Sequence, residues 1–315
     1  MGWHERVDHG FARVMLPQHR LYRDGFGDPR VLDRCVRGVQ DVSVEEVAPL
    51  AIDWTQAKSV RGVDVRRGTF TSPAPELPTD ARRAVVEQWM PGQPGYLLLA
   101  TTGEEGFFRR RLLARFLAAH GLGAVLLENP FYGERRPSGQ RGPALRTVAD
   151  QFAMNLATVL EARALLCTLP ELRGVTGFSQ GGFMAAFASV VTPLELASVP
   201  RGAGCGVEAV FTSLALRHTM RWDVLAAQAG SLEAARSTFA EALEPVRLDR
   251  FPPPRAPHPP PPLPRPAHRL RPPAHAARPP PPCPAPPPPR RPPPHPPARI
   301  SPRPPPPPSR LPHAP

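Results

Sequence analysis

A serine flanked by glycines is the part of this sequence best suited to covalent chemistry. The segment Gly177-Phe178-Ser179-Gln180-Gly181 follows a short predicted strand and opens an alanine-rich predicted helix. A nucleophile at a tight strand-to-helix turn has a strained backbone, so its neighbours must lack bulky side chains, and Gly177 and Gly181 meet that need. The helix N-terminus directs free N–H groups at an oxyanion formed there. The pattern predicts Ser179 as nucleophile and the Gln180 N–H as an oxyanion donor, with an ordinary glycine-rich turn as the alternative.

The loop that follows an apolar run at residues 96–99 is the second candidate for the site. It reads Ala-Thr-Thr-Gly-Glu-Glu-Gly from residue 100 onwards. Where a serine stands on a strand-to-helix turn, the loop after an earlier strand can supply a further oxyanion donor from its backbone. Thr102 and Gly103 are the predicted donors, and a polar turn without this role is the alternative.

A third motif, Glu-Asn-Pro-Phe-Tyr-Gly at residues 128–133, follows another apolar run at 124–127. Glu128 stands at the carboxyl end of a predicted strand, where the sites of α/β proteins gather, so a role in the pocket is one interpretation. The other interpretation, which we favour, is a structural turn near the pocket with Tyr132 as part of its wall.

The elements around these motifs alternate between strand-like and helix-like patterns. Strands are predicted at residues 69–71, 84–90, 96–99, 124–127, 174–177 and 207–214. Helices are predicted at residues 29–36, 107–120, 144–168, 182–191 and 219–245. Such alternation implies an α/β fold with a mostly parallel sheet, flanking helices and right-handed crossovers.

The composition changes sharply near residue 250. Residues 251–315 hold 34 of the 49 prolines and ten arginines but no Asp or Glu, which leaves a net charge of only +2 of the total +12 for residues 1–250. Proline runs cannot donate backbone hydrogen bonds and favour an extended form. We therefore expect three regions: a helical or irregular segment at 1–65, an α/β core at 66–250, and a disordered tail at 251–315. Because the charge belongs to the tail, it does not indicate a nucleic-acid-binding domain.

Three segments resemble the α/β-hydrolase domain-containing protein 18 family: residues 107–111 (FFRRR), 126–133 (LLENPFYG) and 175–182 (VTGFSQGG). The resemblance covers roughly residues 15–240, and the ENPFYG segment is more specific than the glycine-flanked serine. It implies an α/β-hydrolase fold with Ser179 at the nucleophile position and residues 101–103 at the oxyanion position. It also implies a serine hydrolase acting on a small-molecule ester or a lipid acyl ester.

The chain departs from this pattern after the nucleophile. A serine hydroxyl needs a histidine to take its proton and an acid to orient that histidine, and in this fold both follow the serine. His218 and Asp223 follow Ser179 but fall early, on a predicted helix, and His120 precedes it; none matches the expected motifs. No Asp or Glu occurs after Asp249. We therefore expect a core without its C-terminal strands and a catalytically incomplete site.

Two explanations of the tail are open. A shifted reading frame or a retained intron in a GC-rich gene would produce a segment rich in Pro, Arg, Ala and His, and we prefer this explanation. The other is a pseudoenzyme or adaptor whose PxxP stretches bind aromatic grooves of the SH3 or WW type.

Composition also excludes several classes. The four cysteines, Cys35, Cys167, Cys205 and Cys283, form no CxxC pair, so neither a disulfide framework nor a zinc site is expected, and no cofactor is expected either. No apolar run is long enough to span a membrane, and the N-terminus lacks a secretory signal. We expect an intracellular protein, cytoplasmic or mitochondrial.

Overall fold

The structure is a computed structural model that describes residues 20–42, 47–91, 94–212 and 215–251. The described helices are α1 (Pro29–Asp41), α2 (Phe108–Ala119), α3 (Val148–Thr168), α4 (Gln180–Val191), α5 (Glu208–Thr212), α6 (Trp222–Ala229) and α7 (Leu232–Leu243). The described strands are β1 (Asp53–Trp54), β2 (Lys58–Val60), β3 (Val63–Thr71), β4 (Arg83–Met90), β5 (Gly95–Leu99), β6 (Gly123–Leu127), β7 (Leu172–Phe178) and β8 (Ala197–Arg201). The predictions for the tail beyond residue 251 and for residues 1–19 lie outside the described residues.

The strands form one mixed sheet in the order β1-β3-β4-β6-β5-β7-β8, with β2 paired to β3. The pairs β3/β4 and β4/β6 are antiparallel, whereas β6, β5, β7 and β8 run parallel. The carboxyl ends of parallel strands meet at one edge of a sheet, where ligands of open α/β folds bind. Within the described part of the chain no strand follows β8, which lies at the margin of the sheet.

Capping residues explain where several helices begin. The Asp28 carboxylate accepts a hydrogen bond of 2.8 Å from the Arg30 N–H at the start of α1, and this satisfies one of the free donors of the first turn. At the start of α3, Thr147 and Asp150 form a reciprocal capping box. The long helix α3 is therefore fixed at the end that lies beside the candidate site.

The apolar core lies on both faces of the sheet. Leu97 and Leu99 of β5 belong to the main core, which is packed against α1, α3 and α4. Leu98, between them in sequence, belongs to a smaller cluster under α2. Because alternate residues of a strand point to opposite faces, α2 and α3 cover opposite faces of the sheet.

The α/β architecture predicted from the sequence is confirmed, but two segments differ from the prediction. The strand predicted at residues 207–214 is wrong, because α5 occupies that segment, and the strand beside β7 is β8 instead. The signal for β8 was hidden by Pro200, a residue that only edge strands tolerate. In addition, β1 and β2 lie wholly within residues 1–65 and β3 begins there, although the sequence predicts only helical or irregular structure for that region.

Candidate active site

Ser179 stands at the junction between β7 and α4. Its backbone angles are φ 54° and ψ −117°, a conformation that non-glycine residues rarely adopt. The Ser179 N–H donates a hydrogen bond of 2.8 Å to the Arg201 carbonyl of β8, and this contact helps to hold the strained conformation. The Ser179 side chain makes no capping hydrogen bond, so its hydroxyl is available at the start of α4.

The two flanking glycines are required by close backbone contacts. A Cβ added to Gly177 would lie 2.3 Å from the carbonyl carbon of Gly181, and one added to Gly181 would lie 2.6 Å from the Leu99 carbonyl oxygen. Backbone atoms cannot move away as a flexible side chain can. The glycines therefore let α4 approach β7 and β5 closely enough to form the turn that the sequence pattern predicts.

A hydrogen bond joins this turn to the loop after β5. The Thr102 hydroxyl donates to Oε1 of Gln180 over 3.1 Å, and both residues line a cavity that Ser179 also lines. Gly103 does not line that cavity. Tyr132 of the neighbouring ENPFYG turn is fully buried, and burial raises the pKa of its hydroxyl to about 12. Of the two donors predicted in this loop, only Thr102 lines the cavity that Ser179 also lines.

A buried ion pair holds this loop in place. The Arg110 guanidinium on α2 donates to the Glu104 carboxylate over 3.2 Å and to the Leu98 carbonyl over 3.0 Å. It also donates to the Leu127 carbonyl at the end of β6. Both Arg110 and Glu104 are almost fully buried, and the Glu104 carboxylate in turn accepts from the Thr101 N–H. Arg110 thus fixes the carboxyl ends of β5 and β6 together with the loop that carries Thr102.

The cavity beside Ser179 has a volume of about 80 Å³. Its polar wall is formed by Thr102, Gln151, Asn155 and Gln180. Its apolar wall is formed by Phe183, Met184, Val207, Val210, Phe211 and Leu216. One side can therefore hold a polar reacting group and the other an apolar substituent.

Comparison with known proteins places these features in a family. A family model described as "Alpha/beta hydrolase domain containing 18" matches residues 19–248. The chain belongs to this family. Solved structures with similar folds include acetyl xylan esterase 1 from a Thermoanaerobacterium species, with 17% sequence identity and a TM-score of 0.45 over 74% of this chain and 78% of that chain. An acetyl xylan esterase from a Paenibacillus species shows 13% identity and a TM-score of 0.43 over 71% and 77% of the two chains.

In this member of the hydrolase-domain-18 family, α3 contributes side chains that the sequence analysis missed. Asn155 accepts hydrogen bonds from the side-chain amides of Gln180, over 3.0 Å, and of Gln151, over 2.9 Å. Tyr22 in turn donates to Gln151 over 3.4 Å. Gln151 and Asn155 are four residues apart on a helix that is otherwise mostly apolar, and this polar pair is the signal that could have identified them.

The two pocket candidates of the ENPFYG motif lie outside the Ser179 cavity. The buried Glu128 carboxylate accepts hydrogen bonds from the backbone N–H groups of Gly106, over 3.0 Å, and Glu134, over 3.3 Å. Burial raises the pKa of Glu128, and these N–H groups oppose the rise. Tyr132 is fully buried. The motif is a turn folded around a carboxylate, which fits the structural interpretation.

A buried ion pair attaches this turn to α3. The Arg135 guanidinium donates to the Glu161 carboxylate over 2.5 and 2.8 Å, and both side chains are inaccessible to solvent. The same guanidinium donates to the Glu128 carbonyl over 2.7 Å. Because an unpaired buried charge is very costly, these contacts fix the turn relative to the helix that supplies Gln151 and Asn155.

Within the described part of the chain, no histidine and no acidic side chain lines the cavity. His120 and His218 are exposed side chains outside it. Asp223 is bonded to Arg221, whose hydrogen bonds lower the pKa of Asp223 to about 2. Nor do the described residues contain a group of three His, Cys, Asp or Glu side chains that could hold a metal ion. None of the described helices is long and apolar enough to cross a bilayer.

Proposed function

We propose that Ser179 is the nucleophile of a carboxylic-ester hydrolase site, and that the described residues around it supply no general base. The observation that carries the proposal is the strained backbone of Ser179 (φ 54°, ψ −117°) in the wall of a cavity. Strain of this kind persists only where the surrounding structure enforces it, and it clusters at functional sites.

The surroundings of Ser179 suit acyl transfer. Its Oγ would attack the ester carbonyl carbon while a base takes the hydroxyl proton. The oxyanion would accept hydrogen bonds from the backbone N–H of Gln180 at the start of α4 and from the backbone N–H of Thr102. The alcohol would leave with a proton, and water would then hydrolyse the acyl-serine to a carboxylic acid and the free hydroxyl.

The apolar wall supports an acyl group as the part of the substrate held inside. A second small apolar cavity, lined by Val39, Phe152, Val159, Phe187 and Val246, shares Asn155, Phe183 and Met184 with the first. Rotation of the Phe183 or Met184 side chain would join the two. The shared wall supports a substrate with an extended acyl chain, such as a lipid acyl ester.

The missing base gives the proposal a sharp test by chemical rescue. Hydrolysis of p-nitrophenyl esters is measured with and without added imidazole for the wild type, Ser179→Ala and the control Ser198→Ala, which alters a serine on β8. General bases contribute about 10²–10⁴-fold to such reactions. We expect imidazole to accelerate hydrolysis by the wild type and by Ser198→Ala well above its effect on Ser179→Ala.

Fluorophosphonate labelling read by intact mass provides a second measurement. In the presence of imidazole, the adduct should form on the wild type and map to the peptide that contains Ser179. Equal rescue and equal labelling of Ser179→Ala would refute the nucleophile assignment. Fast hydrolysis by the wild type without imidazole would show that the chain supplies its own general base, and would refute that part of the proposal.

Binding through the proline-rich segment is a second candidate function, favoured because no described residue that lines the cavity is a histidine. The PxxP stretches of residues 252–315, with their arginines, have the chemistry that SH3 and WW grooves recognise. Binding of the purified chain to an SH3 and WW domain array should disappear on deletion of residues 252–315. Binding that survives the deletion would refute this function.

A further inference from the structure

Helix α2 exposes three large apolar side chains in a row. Phe108, Leu112 and Phe116 are 74%, 55% and 62% exposed, respectively. They are spaced four residues apart, so on a helix of 3.6 residues per turn they fall within about 80° of arc. The opposite side of the helix is buried through Ala114 against the sheet. The stripe of these three residues is thus an exposed apolar face, and at its C-terminal end the Phe116 ring contacts the His120 ring with 4.6 Å between ring centroids.

The arginines of α2 divide into two groups. Arg110 pairs with Glu104, and Arg111 pairs with Glu87. Arg109 and Arg115 are exposed, and neither forms an ion pair with any residue of the described part. The helix itself contains no acidic residue.

The two unpaired arginines lie on either side of the stripe. With about 100° of rotation per residue, Arg115 falls about 20° before Phe108 and Arg109 falls about 20° beyond Phe116. Apolar side chains flanked on both edges by cations form the pattern of a helix that lies in a membrane interface, where arginine heads reach the anionic headgroups. A partner that complements this face must be apolar beneath a negatively charged surface.

We propose that the stripe of Phe108, Leu112 and Phe116, with Arg109 and Arg115, docks the protein on the surface of an anionic phospholipid bilayer. The stripe begins six residues after Thr102, so its N-terminal end lies at the sheet edge that carries the Ser179 cavity. Docking would bring that edge towards the lipid. The proposal is independent of catalysis by Ser179, because it requires only the surface of α2.

The test is co-sedimentation of the full 315-residue chain with vesicles of phosphatidylcholine mixed with phosphatidylserine and with vesicles of phosphatidylcholine alone. The Phe108→Gln/Leu112→Gln/Phe116→Gln variant keeps every charge, including the arginines of residues 252–315. Its partition coefficient on the anionic vesicles should fall at least about a hundredfold, because each large apolar side chain removed from water contributes about tenfold. Leu232→Gln, at an exposed leucine on α7, is the matched control and should bind like the wild type.

Charge is tested separately with Arg109→Gln/Arg115→Gln. Each arginine near an anionic surface contributes about fivefold, so this variant should bind about 25-fold more weakly to the mixed vesicles. Arg30→Gln, an exposed arginine on α1, is the control for the loss of one charge. Circular dichroism and thermal melting of all variants exclude misfolding, since the replaced side chains are exposed.

Three results would overturn the proposal. The first is undiminished binding of the triple glutamine variant to anionic vesicles, which would assign any binding to the basic segment after residue 251. The second is equal binding of the wild type to neutral and anionic vesicles. The third is a wild type that forms a concentration-dependent dimer in sedimentation velocity and a triple glutamine variant that loses this dimer but binds vesicles as the wild type does. That result would make the stripe a contact between two copies of the chain.

Discussion

Replacing Ser179 by glycine should give a more stable protein than replacing it by alanine. The Ser179 backbone (φ 54°, ψ −117°) lies where a Cβ is unfavourable, and such strain costs about 1–3 kcal/mol. Glycine removes this cost but adds about 0.5–1 kcal/mol of unfolded-chain entropy relative to alanine. Ser179→Gly should therefore exceed Ser179→Ala in unfolding free energy by about 1 kcal/mol. Neither variant has the hydroxyl, so their difference isolates the Cβ.

Thermal melting and urea titration measure this difference directly. For a domain of this size about 1 kcal/mol corresponds to roughly 2–4 °C in Tm. The control pair is Ser198→Gly and Ser198→Ala on β8, where ordinary strand backbone should make glycine the less stable replacement. At Ser198 the glycine variant should melt below the alanine variant. If Ser179→Gly also melts below Ser179→Ala, the Ser179 backbone is not strained and its interpretation as a strained nucleophile turn fails.

Two further perturbations test the packing around the site. Gly177→Ala forces a Cβ to within 2.3 Å of the Gly181 backbone, so it should lower the free energy of unfolding by at least about 3 kcal/mol and Tm by about 6–12 °C. The control Gly204→Ala, whose added Cβ would make an ordinary contact of 3.5 Å, should change Tm little. Equal effects of the two substitutions would contradict the steric argument. Burial raises the pKa of Glu128, so the folded protein holds that proton to higher pH than the unfolded chain does. Stability of the wild type relative to Glu128→Gln should therefore decline in urea titrations as pH rises from about 4 through the raised pKa; an increase would show that the N–H groups outweigh burial.

Much of the nucleophile turn at residues 177–181 could be predicted from sequence because its determinants are local. Gly177 and Gly181 are needed within five residues of chain, and the same few residues end a strand and begin a helix. For the loop after β5, the sequence predicted only a pair of candidate oxyanion donors. Thr102 and Gly103 are adjacent, and only the fold makes Thr102, but not Gly103, part of the cavity wall.

The cavity walls were harder to predict because they come from distant segments. Gln151 and Asn155 form a polar pair on a mostly apolar helix, but only the packing of α3 beside the turn at residues 177–181 shows that this pair contacts Gln180. The wall from residue 202 to residue 216 was hidden by the wrong strand prediction at 207–214, where apolar spacing suits either a short strand or a short helix.

The sequence by itself determined the position of the nucleophile candidate, the α/β alternation and the early loss of triad motifs, since each depends on residue type and short spacing. Only the tertiary structure decided that Glu128 supports a turn, that the described cavity holds no histidine or carboxylate, and that the apolar stripe of α2 is left uncovered. These properties depend on which distant segments meet. That is set by long-range packing of the sheet and helices, which no local pattern encodes.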